Sequence, residues 1–167
     1  TARAPALGTE LHLILAALLR DKQDHALERI FRLLNLQTGS DEFERVYRGL
    51  HSPREATRAG SRELLEHLVL PQVRGPLLTL VDDLYVDRSV PPSDGWRTGA
   101  GANRAHARLL EELLGCGMES VSSLAAAHAA ELGFVELQAA VDGCAPLSAE
   151  HGAVLRRASL TLKGEVA

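Results

Sequence analysis

Phe43-Glu44-Arg45-Val46-Tyr47-Arg48-Gly49-Leu50, followed by His51-Ser52-Pro53-Arg54-Glu55 and then Ala56 through Leu65, is the stretch that decides the fold. Phe43, Val46, Tyr47 and Leu50 stand at i, i+3, i+4 and i+7, so a helix gathers them on one face. Ser52-Pro53-Arg54-Glu55 then spells a helix start. The serine hydroxyl can satisfy an orphan amide of the first turn, Glu55 can reach back, and proline suits the first helical position. A second helix follows at once. The local unit is therefore helix, tight turn, helix.

The same periodicity recurs outward in both directions. Leu11, Ile14, Leu15 and Leu18 form one stripe, and Leu27, Ile30, Phe31 and Leu34 another. Val73, Leu77, Leu80, Val81 and Leu84 continue it. Ala-rich versions follow around Val121 to Leu132, Phe134 to Val141, and Val154 to Leu162. Gly133 punctuates a helix end, Pro71 breaks the run after Leu70, and Ser40 and Ser148 precede acidic helix starts. The spacing predicts helices over 9–20, 24–36, 40–50, 53–69, 72–85, 102–115, 118–132, 134–142 and 148–162. No segment alternates as a half-buried strand does. Leu and Ala dominate and aromatic residues are 4%, which favours helix over sheet. The expected architecture is all-α: about 8–9 short antiparallel helices in one domain over 9–165, with a tail at 1–8 and a Pro/Gly-rich loop at 86–103 that holds Trp96.

Sliding the chain by 64 residues aligns Val46 with Leu110, Leu50 with Leu114, Glu55 with Glu119, Leu68 with Leu132, Val73 with Leu137 and Leu77 with Val141. The aligned elements share an order: helix end, turn, longer helix, break, second helix. On these residues, and on the small-residue runs Arg58-Ala59-Gly60-Ser61-Arg62 and Ser123 through Gly133, the chain resembles divergent HEAT repeats of the bacterial kind. The resemblance covers most of residues 40–142. It implies an α-solenoid whose stacked helix pairs offer an extended surface to a partner. Similar segments occur in regions attached to transporter-like membrane proteins, and some HEAT-like families act as lyases or bind ligands.

Charge and motifs narrow the function classes. The net charge is −4, against the basic excess that nucleic-acid binding favours. The longest apolar run, Leu11 to Leu19, is too short to span a bilayer, and no signal peptide is visible. A cytoplasmic location is expected, with a larger parent chain left open. Cys116 and Cys144 lack zinc-ligand spacing and are expected to be reduced and partly buried. There is no GxSxG, Walker A or GxGxxG motif, so neither catalytic nor cofactor-binding residues are expected.

Arg54, Arg58 and Arg62 fall at i, i+4 and i+8, with Arg45 and Arg48 on the helix before. A row of guanidinium groups can fork onto carboxylates or phosphates. These arginines and Trp96 are the expected contacts for a protein partner, although Arg62 can also pair with Glu66 at i+4. Glu63 and His67 share a helix face but lack further metal ligands. Asp82, Asp83 and Asp87 read as a solvent-facing acidic turn, and His128 and His151 as hydrogen-bonded histidines at the core edge. No metal is expected. The functional expectation is a non-enzymatic HEAT-like scaffold or regulatory domain. The alternatives are the tail of a transporter-like membrane protein, or a lyase or ligand-binding domain.

Overall fold

The computed structural model describes residues 9–89 and 100–165. Its helices are α1 (Glu10–Thr38), α2 (Glu42–Leu50), α3 (Glu55–Leu68), α4 (Pro71–Ser89), α5 (Ala100–Leu114), α6 (Glu119–Leu132), α7 (Gln138–Gly143) and α8 (Ala149–Leu162), with a 3-10 turn at Val135–Leu137. No strand occurs among the described residues. The all-α class is thus present, as a set of helices packed on one another. No described helix is long and apolar enough to cross a membrane.

Several boundaries differ from expectation. The helices expected over 9–20 and 24–36 are one continuous α1. Arg20-Asp21-Lys22-Gln23-Asp24 interrupts the apolar stripe but contains neither glycine nor proline, so nothing breaks the backbone. Of the stretch expected as a loop over 86–103, residues 86–89 belong to α4 and 100–103 to α5, and the rest lies outside the described residues. Trp96 lies outside the described residues. The start expected at Pro53 is also displaced. Arg54 occupies the N-cap of α3 without a side-chain cap bond, and the Ser52 hydroxyl instead accepts from the Arg54 amide at 3.2 Å. Two local signals are realised as expected. Gly133 ends α6 in the left-handed conformation at φ 66°, and Ser148 caps α8 by accepting from the His151 amide.

The chain divides into two compact units. Unit 1 joins residues 1–21 to 94–167, and unit 2 comprises 22–93. In unit 1, α6 packs closely against both α5 and α8, and α7 packs on α8. Ala125, Ala126 and Ala129 on α6 are all fully buried, and small side chains let neighbouring helices approach. Leu110, Val121, Val141 and Leu155 fill the space between them. A fully buried side chain such as Leu110 contributes about 1.5–3 kcal/mol.

Unit 2 is built around Phe31, Phe43, Val46, Leu50, Leu65 and Val81. The Phe31 ring lies 6.4 Å from Phe43 and 5.3 Å from Tyr47 between centroids. Here α2 packs on α3 and α3 on α4. The expected apolar face of α4 is rotated: Leu77 and Val81 are buried, whereas Val73 and Leu80 are exposed.

α2 approaches α3 closely at Gly49, where an added methyl would run into the Ser61 side chain. Gly49→Ala is therefore expected to destabilise unit 2 by about 1–3 kcal/mol through overpacking. That outweighs the roughly 1 kcal/mol of helix propensity that alanine adds. Urea unfolding measures the loss, and Ser61→Ala in the same chain is expected to recover part of it.

Candidate metal centre

The expected arginine surface is largely occupied by contacts within unit 2. Arg62 forks onto Asp82, with Nε 2.6 Å from Oδ1 and one terminal nitrogen 2.7 Å from Oδ2. Its expected i+4 partner, Glu66, is a looser contact at 3.8 Å. The hydrogen bond from Arg62 holds the Asp82 carboxyl below the usual carboxylate range, and the same bond raises the Arg62 pKa. Asp82 is thus an ion-pair partner rather than a member of a free acidic turn. Arg58 donates to the Ser52 and Pro53 carbonyls at 3.0 Å each, and Arg48 pairs with Glu44 at 3.6 Å. Glu63 and His67 are both exposed.

The Arg62–Asp82 pair gives a pH prediction. A depressed carboxylate pKa stabilises the fold above the unfolded value of about 3.9, and that contribution is lost as pH falls through the lower folded value. Both side chains are more than a third exposed, so solvent screening keeps the effect to about 0.2–1 kcal/mol. Asp82→Asn is expected to remove this amount at pH 7 and nothing at pH 2, as read by denaturant titration at both values.

Three imidazoles converge in unit 1. His12 comes from the first turn of α1, His106 from α5 and His128 from α6. Each lies on the inner stripe of its own helix: His106 is one turn before buried Leu110, and His128 is one turn before buried Leu132. His106 and His128 are 6% and 0% exposed, and His12 is half-buried. Taking one ring nitrogen from each, the three lie within 4.8 Å of one another. His106 Nε2 and His128 Nε2 are 3.0 Å apart. Two nitrogens bound to one tetrahedral zinc at about 2.0–2.1 Å stand about 3.3 Å apart. The α5–α6 pair therefore already has nearly the spacing of two ligands on one ion. His12 needs to close by no more than about 1.5 Å to join them.

The surroundings orient this set. Glu131 Oε2 lies 3.1 Å from His128 Nδ1 and accepts a hydrogen bond from the Thr9 hydroxyl at 2.6 Å. A carboxylate only accepts, so His128 Nδ1 carries a proton and the neutral ring presents its Nε2 lone pair toward His106. A carboxylate behind a ligating histidine fixes ring orientation and raises its basicity. Burial, together with the neighbouring His128 and His12, pushes His106 down to about 4, so it is a neutral ligand well into the acid range. The Phe134 ring flanks His106 at 6.2 Å. Without an ion, the 3.0 Å contact is a hydrogen bond with one proton between the two rings.

The third buried histidine, His151, is committed to structure. His151 Nδ1 accepts from the Leu147 amide at 3.1 Å, so its proton is on Nε2, which donates to the Ser122 hydroxyl at 2.9 Å. That hydroxyl donates in turn to the Met118 or Glu119 carbonyl. A histidine that donates to serine cannot act as its general base, so the pair locks α6 to the start of α8 and is not a nucleophilic dyad. The cysteines also part company. Cys144 is half-buried and donates to the Leu114 carbonyl at 3.4 Å, whereas Cys116 is exposed rather than partly buried as expected.

Sequence spacing did not reveal the three-histidine cluster, because its members share no helix. The available signal is a histidine on the apolar stripe of each of three helices; taken alone, His128 reads only as a core-edge residue. No family model matches this chain, and no curated protein or solved structure is significantly similar to it.

Proposed function

We propose that this chain is a metal-binding helical domain that takes up one divalent transition-metal ion through His12, His106 and His128. The observation that supports this reading is the convergence of three imidazole nitrogens within 4.8 Å, with His128 oriented from behind by Glu131. Nitrogen ligands suit zinc, copper, nickel and cobalt, whereas magnesium and calcium need oxygen. Zinc is the first ion to test, since it accepts three histidines without redox chemistry. Titration calorimetry of the chelator-treated protein with zinc is expected to give one site per chain. Glu131→Gln is expected to weaken it about 10–100-fold, the usual cost of an outer-sphere partner. Magnesium is expected to give no heat at the same concentrations. A wild-type protein that takes up no zinc, copper, nickel or cobalt refutes the reading.

A second reading is the HEAT-like interaction scaffold expected from the sequence, with a protein partner. It is favoured by the large apolar side chains left exposed on and beside α3 and α4: Leu64, Leu70, Val73 and Leu80, at 43–57%. The close packing of α6 on both neighbours is what stacked helical repeats require. Since Arg58 and Arg62 are engaged locally, this reading shifts the contact toward the leucines. Its test compares Leu64→Asp/Leu80→Asp with Arg54→Glu/Arg58→Glu/Arg62→Glu in cross-linking to a captured partner. Loss in the first and retention in the second supports the leucine surface, and the reverse result supports the arginine stripe.

A further inference from the structure

The apolar anchorage of the first turns of α1 in unit 1 is thin. Of residues 10–21 only Leu15 is buried, with Leu11, Ala16, Leu18 and Leu19 partly so, while Leu13 and Ile14 are 64% and 52% exposed. None of the closely packed helix pairs among the described residues includes α1. The first turn of this segment is tied to α6 by Thr9. The Thr9 hydroxyl accepts from the His12 amide at 3.2 Å, which caps the first turn, and donates to Glu131 on α6. One turn therefore carries both the Thr9 bridge to Glu131 and the His12 imidazole, whose ring centroid lies 5.5 Å from that of His106 and 5.7 Å from that of His128.

The two halves of the cluster differ in how they are held. His106 and His128 belong to α5 and α6, which pack tightly on each other, and they already stand at 3.0 Å. His12 is the half-buried member and arrives on the weakly anchored segment. Resting on the metal-site reading above, we infer that metal uptake latches the first turns of α1 onto α5 and α6. The ion lands on the preformed His106–His128 pair, and His12 supplies the closing bond. Every order in which the ligands bind ends with α1 tied to α6 through one ion. The coupling is reciprocal: an ion that holds α1 down binds more tightly wherever α1 is already docked.

The test is hydrogen exchange followed by mass spectrometry on the whole chain, chelator-treated and zinc-loaded, with calorimetry on the same samples. Peptides within residues 9–21 report the latch, and α8 peptides serve as the internal control. Zinc is expected to slow exchange in the α1 peptides at least tenfold and to leave α8 unchanged. In His12→Ala, zinc is expected to bind at least tenfold more weakly through the remaining pair and to leave α1 exchange as in the metal-free protein. His12→Gln repeats the measurement with a helix-compatible side chain of similar size. Zinc binding by the wild type with no slowing in α1, or equal slowing in the His12 variants, overturns the latch while the metal site stands. No uptake of zinc, copper, nickel or cobalt in calorimetry overturns the metal-site reading itself, and the latch with it.

Discussion

Zinc supplied at a hundredfold excess over its dissociation constant is expected to stabilise the folded chain by about 2.7 kcal/mol, and His106→Ala is expected to abolish that gain. The gain follows from mass action: the three imidazoles come together only in the folded chain, so binding free energy becomes folding free energy. His106 is the informative position. It is 6% exposed and its Nε2 makes the 3.0 Å contact with His128, so its removal takes away one half of the preformed pair. His128 is less suitable, because its ring also holds Glu131 and its loss disturbs more than the ion. Circular dichroism during urea unfolding, with zinc and with chelator, measures the difference. A zinc-dependent shift that survives in His106→Ala places the ion elsewhere.

Phe31→Ala is expected to cost unit 2 about 3–5 kcal/mol, the range for truncating a buried aromatic. Phe31 is 2% exposed and its ring meets those of Phe43 and Tyr47. Leu27 and Phe31 are the fully buried residues of α1 after Asp21, so this substitution removes much of what anchors that part of the helix in unit 2. Leu36→Ala is the matched control. Leu36 is 80% exposed, and a change there is expected to stay within about 0.5 kcal/mol. Urea midpoints that move equally for both would mean that the Phe31 cluster is not the core of unit 2.

Features legible in the sequence were those settled within one or two turns. α2, α6 and α8 fall close to where their stripes put them; α6 and α8 couple an apolar face to a cap, Gly133 and Ser148, and α2 relies on the stripe of Phe43, Val46 and Leu50 alone. The continuity of α1 was not legible. Leu15 and Leu27 are twelve residues apart and so about a third of a turn out of register, which makes one helix read as two. Absence of a breaker was the better guide there than periodicity. Arg58 and Arg62 stand one turn apart on α3, but the use of Arg62 depends on Asp82, which becomes a neighbour only when α4 packs against α3. The histidine cluster lies one step further out, since it needs three helices placed before any two members meet. Patterns of one helix carry no information about which stripe will face which.

The division of the chain carries a consequence for the order of events on the ribosome. Unit 1 begins with the first part of α1, stops at Asp21 and resumes only at Asp94, whereas unit 2 is one uninterrupted stretch between them. Synthesis runs from the N-terminus, so unit 2 is complete while the partners of Leu15 and His12 have yet to be made. The opening turns of α1 then wait, with Leu15, Leu18 and Leu19 uncovered, until α5 and α6 emerge. The loop-closure cost of that return grows only slowly with length and is modest at equilibrium. The kinetic exposure is larger. The nascent chain carries an unmatched apolar segment through the synthesis of an entire unit.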